Sequence, residues 1–358
     1  FVFILMLDLF ILYRYNINNA IVIRVNLQRK FSRIICRKES YRIMIIGQND
    51  QLFRAGGADR FAVSEGRRAD GTPYVKIDGV KDFLIWQTFD CGQCFRFDPT
   101  EDGGFDGVAL GRYVRFSQPS PDRLEITGSD MADFENIWKH YLALDDDYVS
   151  IRAGIAESTA DAAGRPGAPD PVMGEAMRCG SGIRILHQEP WETLCSFIVS
   201  QNNNIPRIKK IIAAMSEKYG EPLNAGGETY YAFPTAEALV DAGVGGLAEL
   251  KTGFRAKYIY DAAYRTASGM LDFDEIRRAD YTTAEKILCG IKGVGPKVAA
   301  CTLLFGFGKT EAFPIDVWMK RVLAKYYPDG LDVGRLGKYA GIAQQYLFYY
   351  ERYFGGEI

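Results

Sequence analysis

The spacing of apolar residues divides the chain into a strand-like part and a helical part. Between Tyr74 and Ile126, short β-branched or aromatic runs alternate with Gly, Asp and Pro, which is typical of strands joined by turns. The runs are YVKIDGV, FLIWQTF, FRFDP, GVALGRYVRFSQ and RLEITG, with TEDGGFDG as a hairpin-type connection. We predict that these runs form an antiparallel sheet.

From Asp130 the apolar residues recur every three to four positions, which is the period of a helix with one buried face. Asp130–Tyr148 is predicted to be helical, whereas the small, Pro- and Gly-rich stretch Glu157–Pro171 is predicted to be a loop or a linker. From Pro190 the chain is predicted to be mostly helical. The helical segments are PWETLCSFIVSQN, IPRIKKIIAAMSEKYG, TAEALVDAG, GLAELKTG, FRAKYIYDAAYRTASGM, TTAEKILCGI, PKVAACTLLFGFG, DVWMKRVLAKYY and LGKYAGIAQQYLFYYERYFG. The predicted fold class is α+β, with an N-terminal antiparallel β-sheet followed by a multi-helix body.

These patterns predict three regions: an unassigned extension at 1–43, a β-rich domain at 44–150 and helical domains at 151–358. The apolar run at the N-terminus contains Asp8 and is shorter than the roughly 20 residues that a membrane-spanning helix needs, so no membrane partner is predicted. We expect Met44 to start the protein and residues 1–43 to be an upstream extension or an artefact. Their basic, acid-poor composition also resembles an organelle transit peptide.

Charge and composition exclude several classes of partner and site. The formal net charge of the 358 residues is −2, so a polyanion would have to be held by a local basic face. The seven cysteines are an odd number, which does not suggest a disulfide framework and favours a reducing compartment. Two histidines are too few for a His-rich metal site, and no cysteine follows Cys301 to bind an iron–sulfur cluster. We predict no metal and no cofactor.

The segment ILCGIKGVGPKVAAC predicts two helices joined by a tight hairpin at residues 287–300. Gly293 and Gly295 allow a turn that exposes backbone N–H groups, and Pro296 suits the first position of the following helix. Such a turn, together with a helix N-terminus, can bind one DNA phosphate without reading any base. A plain turn between two helices is the alternative.

Lys297 and Asp316 are the candidate catalytic residues. Lys297 lies in the first turn of a helix, where the helix dipole and partial burial disfavour the ammonium and favour the neutral, nucleophilic amine. Its alternative is a solvated lysine at a helix end. Asp316 follows Pro314 and directly precedes a periodic helix, which predicts an N-cap whose carboxylate stays ionised. A plain cap is the alternative for Asp316, but a hairpin, a lysine and a capping aspartate in this order form a specific combination.

This combination resembles the helix–hairpin–helix DNA glycosylase superfamily, in which the lysine marks bifunctional glycosylase/lyase members. SFIVSQNNNIPRI, TGFRAKYI and DCGQCFRF resemble the 8-oxoguanine DNA glycosylase family, and GIAQQYLF is similar to its C-terminal base-pocket helix. The resemblance covers about Lys76 to Phe348. It implies a TBP-like sheet domain before the glycosylase body, a monomer, no cofactor, and a partner that is double-stranded DNA containing oxidised guanine.

The resemblance also implies roles for the candidate site residues. Lys297 would attack C1′ of the damaged nucleotide and form a Schiff base that permits β-elimination, and Asp316 would stabilise the developing positive charge and help to move protons. In the base pocket, the Gly92 carbonyl would accept N7–H of 8-oxoguanine, a proton that guanine lacks. The other implied base-binding residues are Cys301 and Phe348, which would sandwich the base, and Gln344, which would read its Watson–Crick edge.

The implied DNA contacts lie in two other segments. Asn202 would fill the gap left by the flipped base, and Arg207 and Arg255 would contact the estranged cytosine. Phe254 would wedge into the base stack where the family usually has tyrosine. Trp318 stands where many members have a phosphate-binding histidine, so that contact is in doubt.

The leading hypothesis is therefore a bifunctional glycosylase and abasic-site lyase that excises 8-oxoguanine opposite cytosine. The alternatives are a related glycosylase for other oxidised or alkylated bases, and a non-catalytic hairpin DNA-binding module. CGQC at Cys91–Cys94 raises a redox alternative, which the strand-like CFRFDP after it disfavours because a redox motif normally opens a helix. The expected location is the bacterial cytoplasm with the nucleoid, or the nucleus or an organelle of a eukaryote.

Overall fold

Six strands form one antiparallel sheet in the N-terminal part of the described chain. The computed structural model describes residues 61–163 and 168–355, and the extension predicted at 1–43 lies outside these ranges. The strands are β1 Ala62–Arg67, β2 Pro73–Asp78, β3 Phe97–Pro99, β4 Phe105–Ala109, β5 Arg112–Ser120 and β6 Arg123–Thr127, in the spatial order β1-β2-β6-β5-β4-β3. The antiparallel sheet and the α+β class are confirmed.

Alternation of side chains explains why one face of this sheet is buried. Val75 and Ile77 on β2, and Leu124 and Ile126 on β6, point to the same face and are fully buried. Trp138 belongs to the same apolar cluster, and it lies in the helix that follows the sheet. The sheet is therefore covered on its apolar face by helical structure.

Helices make up most of the remaining described chain. They are α1 Ile85–Phe89; α2, which runs as Met131–Asp133, a π-helical turn Phe134–Trp138 and Lys139–Tyr141; α3 Tyr148–Ala162; α4 Pro171–Cys179; α5 Pro190–Ser200; α6 Ile205–Tyr219; α7 Ala236–Glu249, kinked at Gly243; α8 Ala256–Ala267; α9 Phe273–Arg278; α10 Tyr281–Cys289; α11 Pro296–Phe307; α12 Val317–Tyr326; α13 Val333–Leu336; and α14 Ala340–Phe354. Short 3-10 turns occupy Gly253–Arg255 and Gly337–Tyr339. A hairpin of β7 Pro222–Ala225 and β8 Glu228–Tyr231 interrupts the helices after α6.

The strand predicted for FLIWQTF is wrong, because Ile85–Phe89 is helix α1. Four of its five residues are buried, so the run has no polar face from which a period could be read. The linker predicted at Glu157–Pro171 is wrong in its first part, since α3 continues to Ala162. The domain boundary predicted after residue 150 falls inside α3, and the described residues belong to one compact unit.

Buried polar side chains join the sheet side to the helical side. Gln93 donates from Nε2 to the carbonyl oxygens of Thr88 and Arg184, each at 2.8 Å, and its Oε1 accepts from Leu186 N at 2.9 Å. The guanidinium of Arg184 is fully buried and donates to the carbonyl oxygen of Lys81 at 2.9 Å and to that of Asp146 at 3.0 Å. These bonds fix the loop after α1, which carries Gly92, against the helices.

Candidate active site

The predicted hairpin is present between α10 and α11, and Pro296 occupies the first turn of α11. Gly293 has φ +80°, and a Cβ on it would lie 2.4 Å from the ring of Tyr258. Gly295 is the N-cap of α11; no side chain caps the helix, and a Cβ there would meet no atom within 4 Å. The start of α11 therefore has no capping side chain, and the space beside the Cα of Gly295 is open, as an anion site at a helix N-terminus requires.

Lys297 lies in the first turn of α11 and is half-buried against α5. Its Nζ donates to Ser200 Oγ at 3.2 Å and lies 5.3 Å from the ring centroid of Phe197. Ser200 Oγ in turn donates to the carbonyl oxygen of Phe197 at 2.8 Å. Sequence reasoning did not identify Ser200 or Phe197, because only the packing of α5 on α11 brings them to the lysine.

Asp316 is the N-cap of α12, as predicted, and its Oδ1 accepts from Met319 N at 2.8 Å. Cys301 lies one helical turn after Lys297 and is buried. Burial raises the pKa of the Cys301 thiol to about 11; the Lys297 ammonium opposes this rise and the Asp316 carboxylate adds to it. Since both charges act on the same thiol, the structure brings Lys297, Asp316 and Cys301 together.

Gly92 and Phe348 meet although they lie at opposite ends of the described chain. Gly92 has φ +81°, and a Cβ on it would lie 3.5 Å from Cε1 of Phe348. Helix α14 holds this loop through Gln345, whose Nε2 donates to the carbonyl oxygen of Cys91 at 2.7 Å. Tyr353 adds a bond from its hydroxyl to the carbonyl oxygen of Asp90 at 2.9 Å. Gly92 and Phe348, which were predicted from two distant motifs, thus lie next to each other.

Gln344 carries a buried amide oxygen that has no hydrogen-bond partner. The residue is only 4% exposed and stands one turn before Phe348 on α14. An unsatisfied buried acceptor costs about 1–3 kcal/mol. A ligand that supplies an N–H donor to this oxygen would remove that cost.

The segments predicted to face DNA are exposed at their tips. Asn202 is exposed with φ +46°, a left-handed conformation that is uncommon outside glycine. Phe254 is 47% exposed, as an inserting wedge would be. Arg207 is also exposed, and its Nη2 donates to the carbonyl oxygen of Lys251 at 3.2 Å.

Arg255 differs from its neighbours because its guanidinium is turned inward and only 2% of the residue is exposed. It donates to the carbonyl oxygens of Gln201 and Asn202 at 2.9 Å and to that of Thr252 at 3.1 Å. Burial, followed by the charge of Arg207, lowers the pKa of Arg255. In this arrangement Arg255 links the Asn202 loop to the Phe254 turn rather than projecting outward to a base.

The CGQC cysteines are buried thiols without a disulfide. Burial raises the pKa of Cys91 to about 12 and raises that of Cys94 as well. A redox-active cysteine needs a lowered pKa, so the structure disfavours the redox alternative. Within 61–163 and 168–355, no cluster of three or more His, Cys, Asp or Glu side chains could hold a metal ion. No helix of these ranges is long and apolar enough to span a bilayer.

Comparison with known proteins matches nearly all of the described chain. Residues 78–194 match the family model for the 8-oxoguanine DNA glycosylase N-terminal domain, and residues 195–330 match that for HhH-GPD superfamily base excision DNA repair proteins. A probable N-glycosylase/DNA lyase of Methanothermobacter thermautotrophicus is 32% identical over 212 residues, which cover 51% of this chain and 68% of the relative.

Two solved structures are similar over almost their full length. MBOgg1 in complex with a low-affinity DNA ligand is 40% identical with a TM-score of 0.74, covering 83% of this chain and 99% of that one. The 8-oxoguanine glycosylase/lyase of Clostridium acetobutylicum, bound to double-stranded DNA with cytosine opposite 8-oxoguanine, is 36% identical with a TM-score of 0.74. That match covers 82% of this chain and 98% of the other.

Proposed function

This chain belongs to the 8-oxoguanine DNA glycosylase family of the HhH-GPD superfamily, and we propose that it excises 8-oxoguanine from duplex DNA and then cleaves the strand as an abasic-site lyase. The observation that carries this proposal is that Lys297 and Asp316 both act on the buried thiol of Cys301, so that an amine and a carboxylate lie near the same side chain. Binding of DNA without catalysis would not require a lysine and a carboxylate beside the same thiol.

In the first reaction, the neutral amine of Lys297 attacks C1′ of the damaged nucleotide. The bond between C1′ and N9 breaks, the base leaves with the bonding electrons, and it takes up a proton. Asp316 stabilises the positive charge that develops on the sugar, because its carboxylate is fixed at the N-cap of α12. In the second reaction, the C1′–O4′ bond breaks, O4′ takes up a proton, and the lysine nitrogen forms a Schiff base with C1′. This Schiff base acidifies the C2′ proton, and loss of that proton expels the 3′ phosphate.

Recognition of the flipped base depends on acceptors rather than on shape alone. The Gly92 carbonyl accepts the N7–H of 8-oxoguanine, whereas guanine would present a lone pair to that oxygen. The unpartnered oxygen of Gln344 accepts from the N–H groups of the Watson–Crick edge. Phe348 and Cys301 cover the two faces of the base.

The hairpin and the exposed loops contact the duplex DNA. The open space at Gly295 admits one phosphate to the first turn of α11. Asn202 fills the gap left by the flipped base, Phe254 enters the base stack, and Arg207 contacts the cytosine left unpaired. Arg255 reaches the same cytosine by releasing its carbonyl partners. The protein acts as a monomer, in the compartment that holds its DNA.

The proposal is tested by trapping the Schiff base with borohydride on a duplex that carries one 8-oxoguanine opposite cytosine. The wild-type protein is expected to form a covalent adduct, and Lys297→Gln is expected to form none. Lys292→Gln, which changes an exposed lysine of the same hairpin, is the matched control and should form the adduct normally. Asp316→Asn should slow base release while leaving DNA binding intact.

Two outcomes would overturn the proposal. An absence of adduct with the wild-type protein, or an undiminished adduct with Lys297→Gln, contradicts the assigned nucleophile. Replacing the cytosine with adenine tests the opposite-base assignment separately, because equal excision from both duplexes would remove the role given to Arg207.

A further inference from the structure

The hydroxyl of Ser200, at the C-terminal end of α5, accepts a hydrogen bond from the Lys297 amine. The two residues are 97 positions apart in the sequence, and the distance from Nζ to Oγ is 3.2 Å. The Ser200 proton is committed to the carbonyl oxygen of Phe197 at 2.8 Å. Its oxygen therefore offers lone pairs to Lys297 and acts as a fixed acceptor rather than as a rotating hydroxyl.

The amine has two further neighbours, and together they restrict its orientation. Its Nζ lies over the ring of Phe197 at 5.3 Å and interacts with the thiol of Cys301. Phe197 cannot easily turn away, because it stacks on Phe305 with ring centroids 5.5 Å apart and meets Phe95 edge-on at 5.7 Å. The side chains that surround Nζ are therefore held in place by packing.

We propose that Ser200 is a positioning residue that aims the lone pair of the neutral Lys297 amine at C1′ of the bound nucleotide. The nitrogen is tetrahedral, and one direction is its bond to Cε. When one N–H is held by Ser200 Oγ and another faces Cys301, the lone pair takes the remaining direction. This inference rests on the proposed function, because only a nucleophilic lysine needs an aimed lone pair.

The test compares two variants that have the same shape but differ in the hydroxyl. Ser200→Thr keeps the acceptor, and threonine at this helical position can keep the bond to the carbonyl three residues earlier. Ser200→Val replaces that hydroxyl with a methyl group. Under single-turnover conditions, base excision by Ser200→Val is expected to be about 3- to 10-fold slower than by Ser200→Thr, which is the rate equivalent of one lost hydrogen bond.

The pH dependence of the same rate separates positioning from a general structural role. The ammonium of Lys297 loses an acceptor in Ser200→Val, so the acidic limb of the pH–rate profile should move to lower pH, whereas Ser200→Thr should keep the wild-type limb. Affinity for a duplex with a stable abasic analogue, and the thermal midpoint, should match between the two variants.

Each outcome decides a different claim. If the wild-type protein and Ser200→Thr excise the base while Ser200→Val equals them in rate and pH profile, the positioning role is wrong and the proposed function stands. If the wild-type protein itself neither excises nor traps, the proposed function fails first. A lower rate for Ser200→Val with an unchanged pH profile and weaker DNA binding would also overturn the positioning role.

Discussion

Gly293 and Gly295 stand in the same hairpin turn but have different surroundings. Gly293 needs its left-handed φ and its lack of a side chain, since a Cβ would meet the Tyr258 ring, whereas Gly295 has an ordinary φ and open space. We expect Gly293→Ala to lower the free energy of unfolding by at least about 1–2 kcal/mol. Gly295→Ala should leave that free energy unchanged and weaken DNA binding, because its methyl group occupies the space for the phosphate.

Urea denaturation and titration of a labelled duplex measure these two effects separately. Equal loss of stability in both variants would show that Gly295 serves the turn rather than the phosphate.

Gln344 and Gln345 are adjacent buried glutamines whose hydrogen bonding differs. The oxygen of Gln344 has no partner, whereas Gln345 donates to Cys91 O. Gln344→Met should raise the free energy of unfolding by about 1 kcal/mol, because it removes an unsatisfied acceptor, and should slow excision of 8-oxoguanine. Gln345→Met, the matched control, should be less stable than the wild-type protein. A destabilised Gln344→Met in urea denaturation would contradict this interpretation of the orphan oxygen.

At the scale of elements, two stacked histidines join α2 to the segment before α5. The rings of His140 and His187 lie 4.3 Å apart at 10°, and His187 Nε2 is 3.7 Å from the Asp146 carboxylate. His140 is exposed, but its partial desolvation, followed by the charge of His187, lowers its pKa, while Asp146 and Asp145 oppose the decrease. These are the only two histidines of the chain, so any pH effect of imidazole arises at this junction.

The lowered pKa fixes the direction of a pH effect on stability. Below the ordinary histidine pKa of about 6.5, the unfolded chain binds a proton before the folded chain does, so the free energy of unfolding falls. We expect that free energy to decrease more between pH 7.5 and pH 5.5 for the wild-type protein than for His140→Gln. Denaturant titrations at both pH values test this, and parallel losses in the two proteins would exclude His140 as the source.

Some secondary-structure elements and site residues could be predicted from the sequence and others could not. The positions of Lys297 and Asp316 at helix starts could be predicted, because a helix start depends on local sequence: a glycine turn and proline in one case, a capping aspartate in the other. Helix α1 was mispredicted because a short run buried on most sides has no period, and the β7–β8 hairpin was missed among amphipathic helices. The positioning role proposed for Ser200 could not be predicted from the sequence, because it depends on contact with a residue 97 positions away.

At the scale of the whole molecule, Arg184 couples the sheet to the helices. Its buried guanidinium is the donor for carbonyl groups from the loop before α1 and from the segment after α2. Arg184→Met would leave these carbonyls without their donor, so we expect the free energy of unfolding to fall by at least about 3 kcal/mol. Arg112→Met, at a side chain that is 51% exposed, is the control and should change it by less than about 0.5 kcal/mol.

Because Arg184 joins the sheet to the helices, we expect the β-rich and helical regions to unfold together. Tryptophan fluorescence, which samples Trp138 on the sheet side and Trp191 on the helical side, should report one transition that coincides with the loss of helical circular dichroism. Two separated transitions in the wild-type protein would contradict it.

The contact between the Gly92 loop and α14 sets an order of events during protein synthesis. A ribosome makes Lys297 and Asp316 before it makes Gln344 and Phe348, and domains fold from the N-terminal side as the chain emerges. A nascent chain therefore carries Gly92 and the proposed nucleophile before it carries the two residues of α14 that are proposed to bind the base. The proposed base pocket is completed only when α14 packs against the Gly92 loop, so a translation product that lacks this helix is expected not to excise bases.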